Sequence, residues 1–200
     1  MNNHLIIGFL MLIGFGFHGQ SQIKTNLAFN KERQQINKSG MVALSSWAAA
    51  NIAIGSIGWA TAQAEAKYFH QMNAFWNIVN LGISVPGLFQ SKKDEEKKIS
   101  NGKLIQKQYS TEQIYLINEA LNVVYIGSGI LLSNVADQYP KNEQRFQGYG
   151  KSMIFQGSFL LVFDLIQFLR HRNHRLNSST LFFDQVSLSN NGFGFKYSFK

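Results

Sequence analysis

The stretch from Tyr68 to Gln90, YFHQMNAFWNIVNLGISVPGLFQ, contains no Lys, Arg, Asp or Glu, yet it carries three asparagines and a histidine. His70, Asn73, Asn77, Asn80, Ser84 and Gly87 recur at alternating steps of three and four, so on a helix they form one narrow stripe. Phe69, Phe75, Trp76, Ile78, Val79, Leu81 and Val85 cover the remaining girth. A helix that is apolar around most of its circumference and amide-bearing along one seam suits a bundle in lipid, where polar groups must turn towards neighbouring helices.

The rest of the chain repeats this alternation of long uncharged and short charged segments. Its mean hydropathy, −0.11, is low for a membrane protein, but the segments outrank the average. The net charge of +8 resides in stretches flanking the apolar segments and accompanies no nucleic-acid-binding motif, so lipid, not nucleic acid, is the partner it implies. The absence of cysteine excludes a disulfide framework, thiolate metal sites and cysteine nucleophiles.

In chain order, residues 1–21 combine the apolar run Leu5 to Phe17 with small residues spaced for cleavage before Gln22, as in a cleaved signal peptide. Residues 22–40 are polar and read as a juxtamembrane segment. Residues 41–175 form the expected domain, an all-α, four-helix transmembrane bundle of two helical hairpins, with helices near 41–64, 68–90, 111–138 and 148–170. Asn51, Gly55, Gly58 and Ala62 supply small residues for close packing on the first helix. Pro86 interrupts the second, and the lysine-rich stretch Ser91 to Lys107 reads as a solvated loop between hairpins. Residues 176–200 turn to a period of two, with Phe193, Phe195, Tyr197 and Phe199 after an Asn191-Gly192 turn signal, and predict a C-terminal β-hairpin tail.

Orientation is contested by two rules. A cleaved leader starts the mature chain outside the cytoplasm, and four spans return the C-terminus to that side. Most of the 19 Lys and Arg lie in residues 22–40, 91–107 and the tail, which argues the reverse. The leader is taken as decisive, giving an integral protein of a bacterial inner membrane with a non-cytoplasmic C-terminus.

Asn73, Asn77, Val79 and Gly82 match Asn118, Asn122, Val124 and Gly127 at a constant offset. Consecutive membrane helices run in opposite directions, so such a repeat would relate them by a two-fold axis in the membrane plane and set Asn77 opposite Asn122. Together with the signal-like start and the closing GFGFKYSF, the segments YFHQMNAFWNIVNLGI and NEALNVVYIGSGILL resemble an uncharacterised family of bacterial four-helix membrane proteins. The resemblance implies the architecture and carries over no catalytic or binding residue.

The candidate ligand-binding residues are therefore read from the seams: His70, Asn73, Asn77, Asn80, Asn118, Asn122, Gln156 and Asp164. Asp164 differs from the amides, because a carboxylate within the otherwise uncharged Ser152–Leu169 is costly unless it is paired or protonated. No catalytic residue, metal site or cofactor is indicated: Glu-x-x-His spacing, a serine nucleophile elbow and a phosphate loop are all missing. Three functions follow in order: a structural or partner-binding bundle with an asparagine-lined interior, acting on a protein partner or as a homo-oligomer; a small transporter or ligand-binding bundle with a midplane site near Asp164; and an intramembrane enzyme. A cavity along the asparagine seams favours the second, and tightly interdigitated seams favour the first.

Overall fold

Long uncharged segments satisfy their own backbone hydrogen bonds best as helices, and the chain forms four. The computed structural model describes the backbone of residues 3–178, 186–189 and 192–195 and the side chains of residues 26–178. The helices are α1 (Asn3–Thr61), α2 (Ala64–Asp94), α3 (Asn101–Asn134) and α4 (Glu143–Asn177), with a 3₁₀ turn over Ala136–Gln138. α1 lies along α2 and α3 along α4, and the two pairs meet chiefly where α2 crosses α4. The side chains of the expected leader lie outside the described residues.

The burial pattern is inverted relative to a water-soluble bundle. Asn77, Gln108, Ser152 and Gln156 are fully buried, whereas Ile57, Ile78, Val79, Ile117, Val124 and Leu131 point outward. Polar groups gather inside and aliphatic groups outside when the surrounding solvent is hydrocarbon. Among the described residues, three helical segments are long and apolar enough to cross a membrane: Asn26–Thr61, Asn101–Asn134 and Glu143–Asn177. The second helix, expected as a fourth span, falls short of that measure because its amides, His70 and terminal lysines offset its aliphatic residues. It continues as a helix through Pro86.

Three expected boundaries move. Residues 26–40 are helical, and their Phe29, Asn30, Arg33 and Gln34 are buried. α1 therefore carries one seam from Asn30 through Leu44, Ala48 and Asn51 to Gly55. The solvated loop of 91–107 shrinks to residues 95–100, since α2 runs to Asp94 and α3 begins at Asn101. Lys92, Lys93 and Lys103 are exposed on the helix ends, while Ser91, Asp94, Leu104 and Gln108 turn inward. Asp94 ties this end together by accepting from Gln90 Nε2 at 2.8 Å and lying 3.5 Å from Lys97 Nζ.

The expected C-terminal hairpin tail is not supported as a unit. α4 takes its first two residues, and Asn191 of its turn and the aromatic residues Tyr197 and Phe199 lie outside the described residues. The segments β1 (Val186–Ser189) and β2 (Gly192–Phe195) pair antiparallel, with Val186 opposite Phe195.

Candidate functional site

The asparagine seams divide into two environments. In the first, α1, α2 and α4 share a closed amide layer. Gln156 Nε2 donates to Asn73 Oδ1 at 2.7 Å and to Asn51 Oδ1 at 3.3 Å. Ser152 Oγ donates to Asn73 Oδ1 at 2.9 Å, and the Trp47 indole N–H donates to Gln156 Oε1 at 3.0 Å. Trp47 in turn stacks flat on Phe159, with centroids 3.7 Å apart. The chain continues along α2, where Asn77 donates to the Asn73 carbonyl at 2.8 Å and accepts from Asn80 at 3.1 Å. A buried amide costs stability unless its donors and acceptors are met, and these meet one another.

The second environment is open. α2 and α3 leave a cavity of about 480 Å³ between them, with Phe75, Val79 and Asn80 on one wall and Leu121, Asn122 and Tyr125 on the other. Leu44 of α1 and Leu160, Phe163 and Asp164 of α4 form the floor. Trp76 meets Tyr125 edge to face, centroids 4.8 Å apart, as an aromatic bridge across the cleft. A further cavity of about 420 Å³ shares Leu44, Ile83, Asn118, Phe163 and Asp164, and leads to Arg33, Asp94 and Lys107. The result is one trough, apolar at one end and charged at the other.

Asp164 lies where the two cavities meet and is 4% exposed. Asn122 Nδ2 donates to its Oδ2 at 2.7 Å, and Asn118 adds a second amide contact. No cation lies within 4 Å of it among the described residues. Asn keeps the shape and accepts the same bond, so Asp164→Asn is expected to shift stability in detergent by less than about 1 kcal/mol. Leu leaves the Asn122 donor unmet and is expected to cost about 1–3 kcal/mol. Equal melting temperatures for the two variants would show that the carboxylate is not held by these amides.

The predicted residues therefore separate. Asn80, Asn118, Asn122 and Asp164 come together at the cleft, while Asn73, Asn77 and Gln156 belong to the closed layer. His70 reaches neither cavity and lies against Gly58, where any side chain would meet its ring. The expected opposition of Asn77 and Asn122 does not occur, because α4 serves both helices: Asn73 bonds to Gln156 and Ser152, and Asn122 bonds to Asp164. The matched Gly82 and Gly127 face open space, so they take no part in packing. The hydrogen-bond partners of Asp164 are amides. Among the described residues no cluster of three His, Asp or Glu is placed to hold a metal ion. Sequence reading missed Arg33, Trp76 and Tyr125. Arg33 is traceable, since it continues the 3–4 seam of Leu44, Ala48 and Asn51 back through Asn37.

A family model matches residues 43–165, which span most of the four helices and include Asp164. The chain belongs to DUF6992, a family of unknown function. No curated protein and no solved structure matches it. The 480 Å³ cavity is lined entirely from within the DUF6992 region, whereas Arg33 lies ahead of it.

Proposed function

We propose that the protein is an integral membrane bundle that takes up an amphiphilic small molecule from the bilayer through the cleft between α2 and α3. The cleft carries this reading. A bundle built only for support would close α2 onto α3 as α3 closes onto α4, where Gly129 and Gly150 let the backbones approach so nearly that a Cβ on either would lie 2.6 Å from the other's carbonyl oxygen. Instead the space has the size and largely apolar lining of a small-molecule site, with a few convergent polar groups at its floor. In this reading Asn80, Asn118, Asn122 and Asp164 hold the polar part of the guest, and Trp76 and Tyr125 bound its apolar part.

The structural or partner-binding reading keeps its own support in the closed amide layer. Those side chains satisfy each other and leave nothing to offer a ligand. The two readings therefore apply to different levels of one bundle, the layer for packing and the cleft for binding. Protein purified in mild detergent and examined by native mass spectrometry is expected to carry lipid. Leu121→Trp, which fills the apolar half, is expected to lose it while melting near the wild type. Wild-type protein that stays empty at saturating lipid, or a Trp variant that binds as well, would rule out the cleft as a binding site.

A further inference from the structure

We propose that the molecule bound in the cleft is a membrane lipid with an anionic headgroup, and that Arg33 receives that headgroup. The inference rests on the cleft being a binding site and adds the charge and position of the ligand's head. Arg33 lines the 420 Å³ cavity and is only 4% exposed. One of its Nη atoms donates to Asn30 Oδ1 at 3.2 Å, and its Nε has no hydrogen-bond partner. Among the described residues no carboxylate lies within 4 Å of the guanidinium. Asp94 lines the same cavity and attracts the guanidinium from beyond contact distance, but a buried cation with no carboxylate in contact remains costly, and an anion relieves it.

The acidic groups at this end of the bundle are otherwise engaged. Asp94 is held by Gln90, Lys97 and Lys107, and Glu112 receives a bidentate pair from Arg175 at 2.8–3.1 Å. Glu32 faces His174 at 3.3 Å, and Glu95 accepts from Gln35. Lys107 and Ser110 line the same cavity as Arg33 and supply further donors. Guanidinium groups bind phosphate and carboxylate oxygens through paired, charge-assisted hydrogen bonds.

Depth fits a lipid as well. Leu44 lines both cavities beside Asp164 and stands eleven positions along α1 from Arg33, about 16 Å along the axis. A lipid in the trough thus has its head at the charged helix ends and its chain along the apolar wall between α2 and α3, as it lies in a leaflet. Asp164 stands between the two with Asn80, Asn118 and Asn122, where these groups meet the uncharged polar part of the lipid, and Arg33 is the buried cation at the charged end.

The test is native mass spectrometry of the whole protein in mild detergent, titrated with lysophosphatidylglycerol or with lysophosphatidylcholine. Wild type is expected to prefer the anionic lipid by about tenfold. Arg33→Gln is expected to lose that preference yet keep its binding of the zwitterionic lipid, and Arg33→Lys to retain part of the preference. Circular dichroism melting of each variant shows whether it is folded. An unchanged preference in folded Arg33→Gln, or no preference in the wild type, overturns the proposal while leaving the cleft reading intact. Loss of both lipids in the wild type removes the cleft reading itself. Displacement of the anionic lipid by millimolar inorganic phosphate, with no binding of the chain, would show a free-anion site and overturn the lipid assignment.

Discussion

Gln156→Leu is expected to lower the melting temperature in detergent by roughly 5–10 °C, the equivalent of about 2–3 kcal/mol in a chain of this size. Gln156 is the joint of the closed layer, accepting from Trp47 on α1 and donating to both Asn51 and Asn73. Leu matches its bulk but removes that partner from the half-buried Trp47 N–H and from the buried Asn73 and Asn51 oxygens. A single interhelical hydrogen bond in a membrane protein averages only about 0.6 kcal/mol, because the separated helices find other partners. Here three bonds are lost together and the Trp47 N–H is left with no partner, although Asn73 keeps Ser152 and Asn51 keeps Asn73, which raises the cost towards that of a buried unsatisfied group. Ser152→Ala removes one donor that Asn73 can do without, and is expected to cost less than about 1 kcal/mol. A Gln156→Leu melting point within 2 °C of wild type, on the order of 1 kcal/mol or less, would mean that the layer is not what joins the two hairpins.

Gly150→Val is expected to have a still larger effect, with little folded, monodisperse protein recovered. A Cβ there would lie 2.6 Å from the Gly129 carbonyl oxygen and collide with Ser133 Oγ. The obstacle on α3 is backbone, which cannot rotate aside, so α3 and α4 must separate along their contact. Overpacking usually costs about 1–3 kcal/mol when side chains can adjust, and more when they cannot. Gly127→Ala is the matched control, because nothing lies within 4 Å of a Cβ at that position. It is expected to be neutral or to gain up to about 1 kcal/mol from helix propensity. Normal yield and melting of Gly150→Val would refute the close approach of α3 and α4.

Much of the helical architecture is legible in the residues alone. Absence of charge over Tyr68–Gln90 and a 3–4 stripe of amides require a helix whose polar side faces other helices, and α2 has that form. The small residues of α1 read equally well, since Gly55 and Gly58 meet α2 at Ala74 and His70. The ends were harder. Lysines at 92, 93 and 103 look like part of a loop when counted, yet they occupy the wet face of helix ends whose other face buries Asp94, Leu104 and Gln108. Net polarity says little about secondary structure there, whereas phase along the helix does.

By itself the sequence determined that the long uncharged segments are helical, which side of each is polar, and that Asp164 is the carboxylate set deepest among uncharged neighbours. Only the tertiary structure decided which amides spend their hydrogen bonds on each other and which remain at a cavity. Periodicity assigns a residue to a face but not to a partner, and Asn77 and Asn122 illustrate the difference: equivalent in the repeat, they are drawn apart because α4 offers Gln156 and Ser152 to one helix and Asp164 to the other. The gap between α2 and α3 was equally beyond one-dimensional pattern, since it arises from how two helical pairs cross, and the crossing is set by where glycine permits close approach. The buried Arg33 became meaningful for the same reason, once the fold had tied Asp94 to Gln90, Lys97 and Lys107.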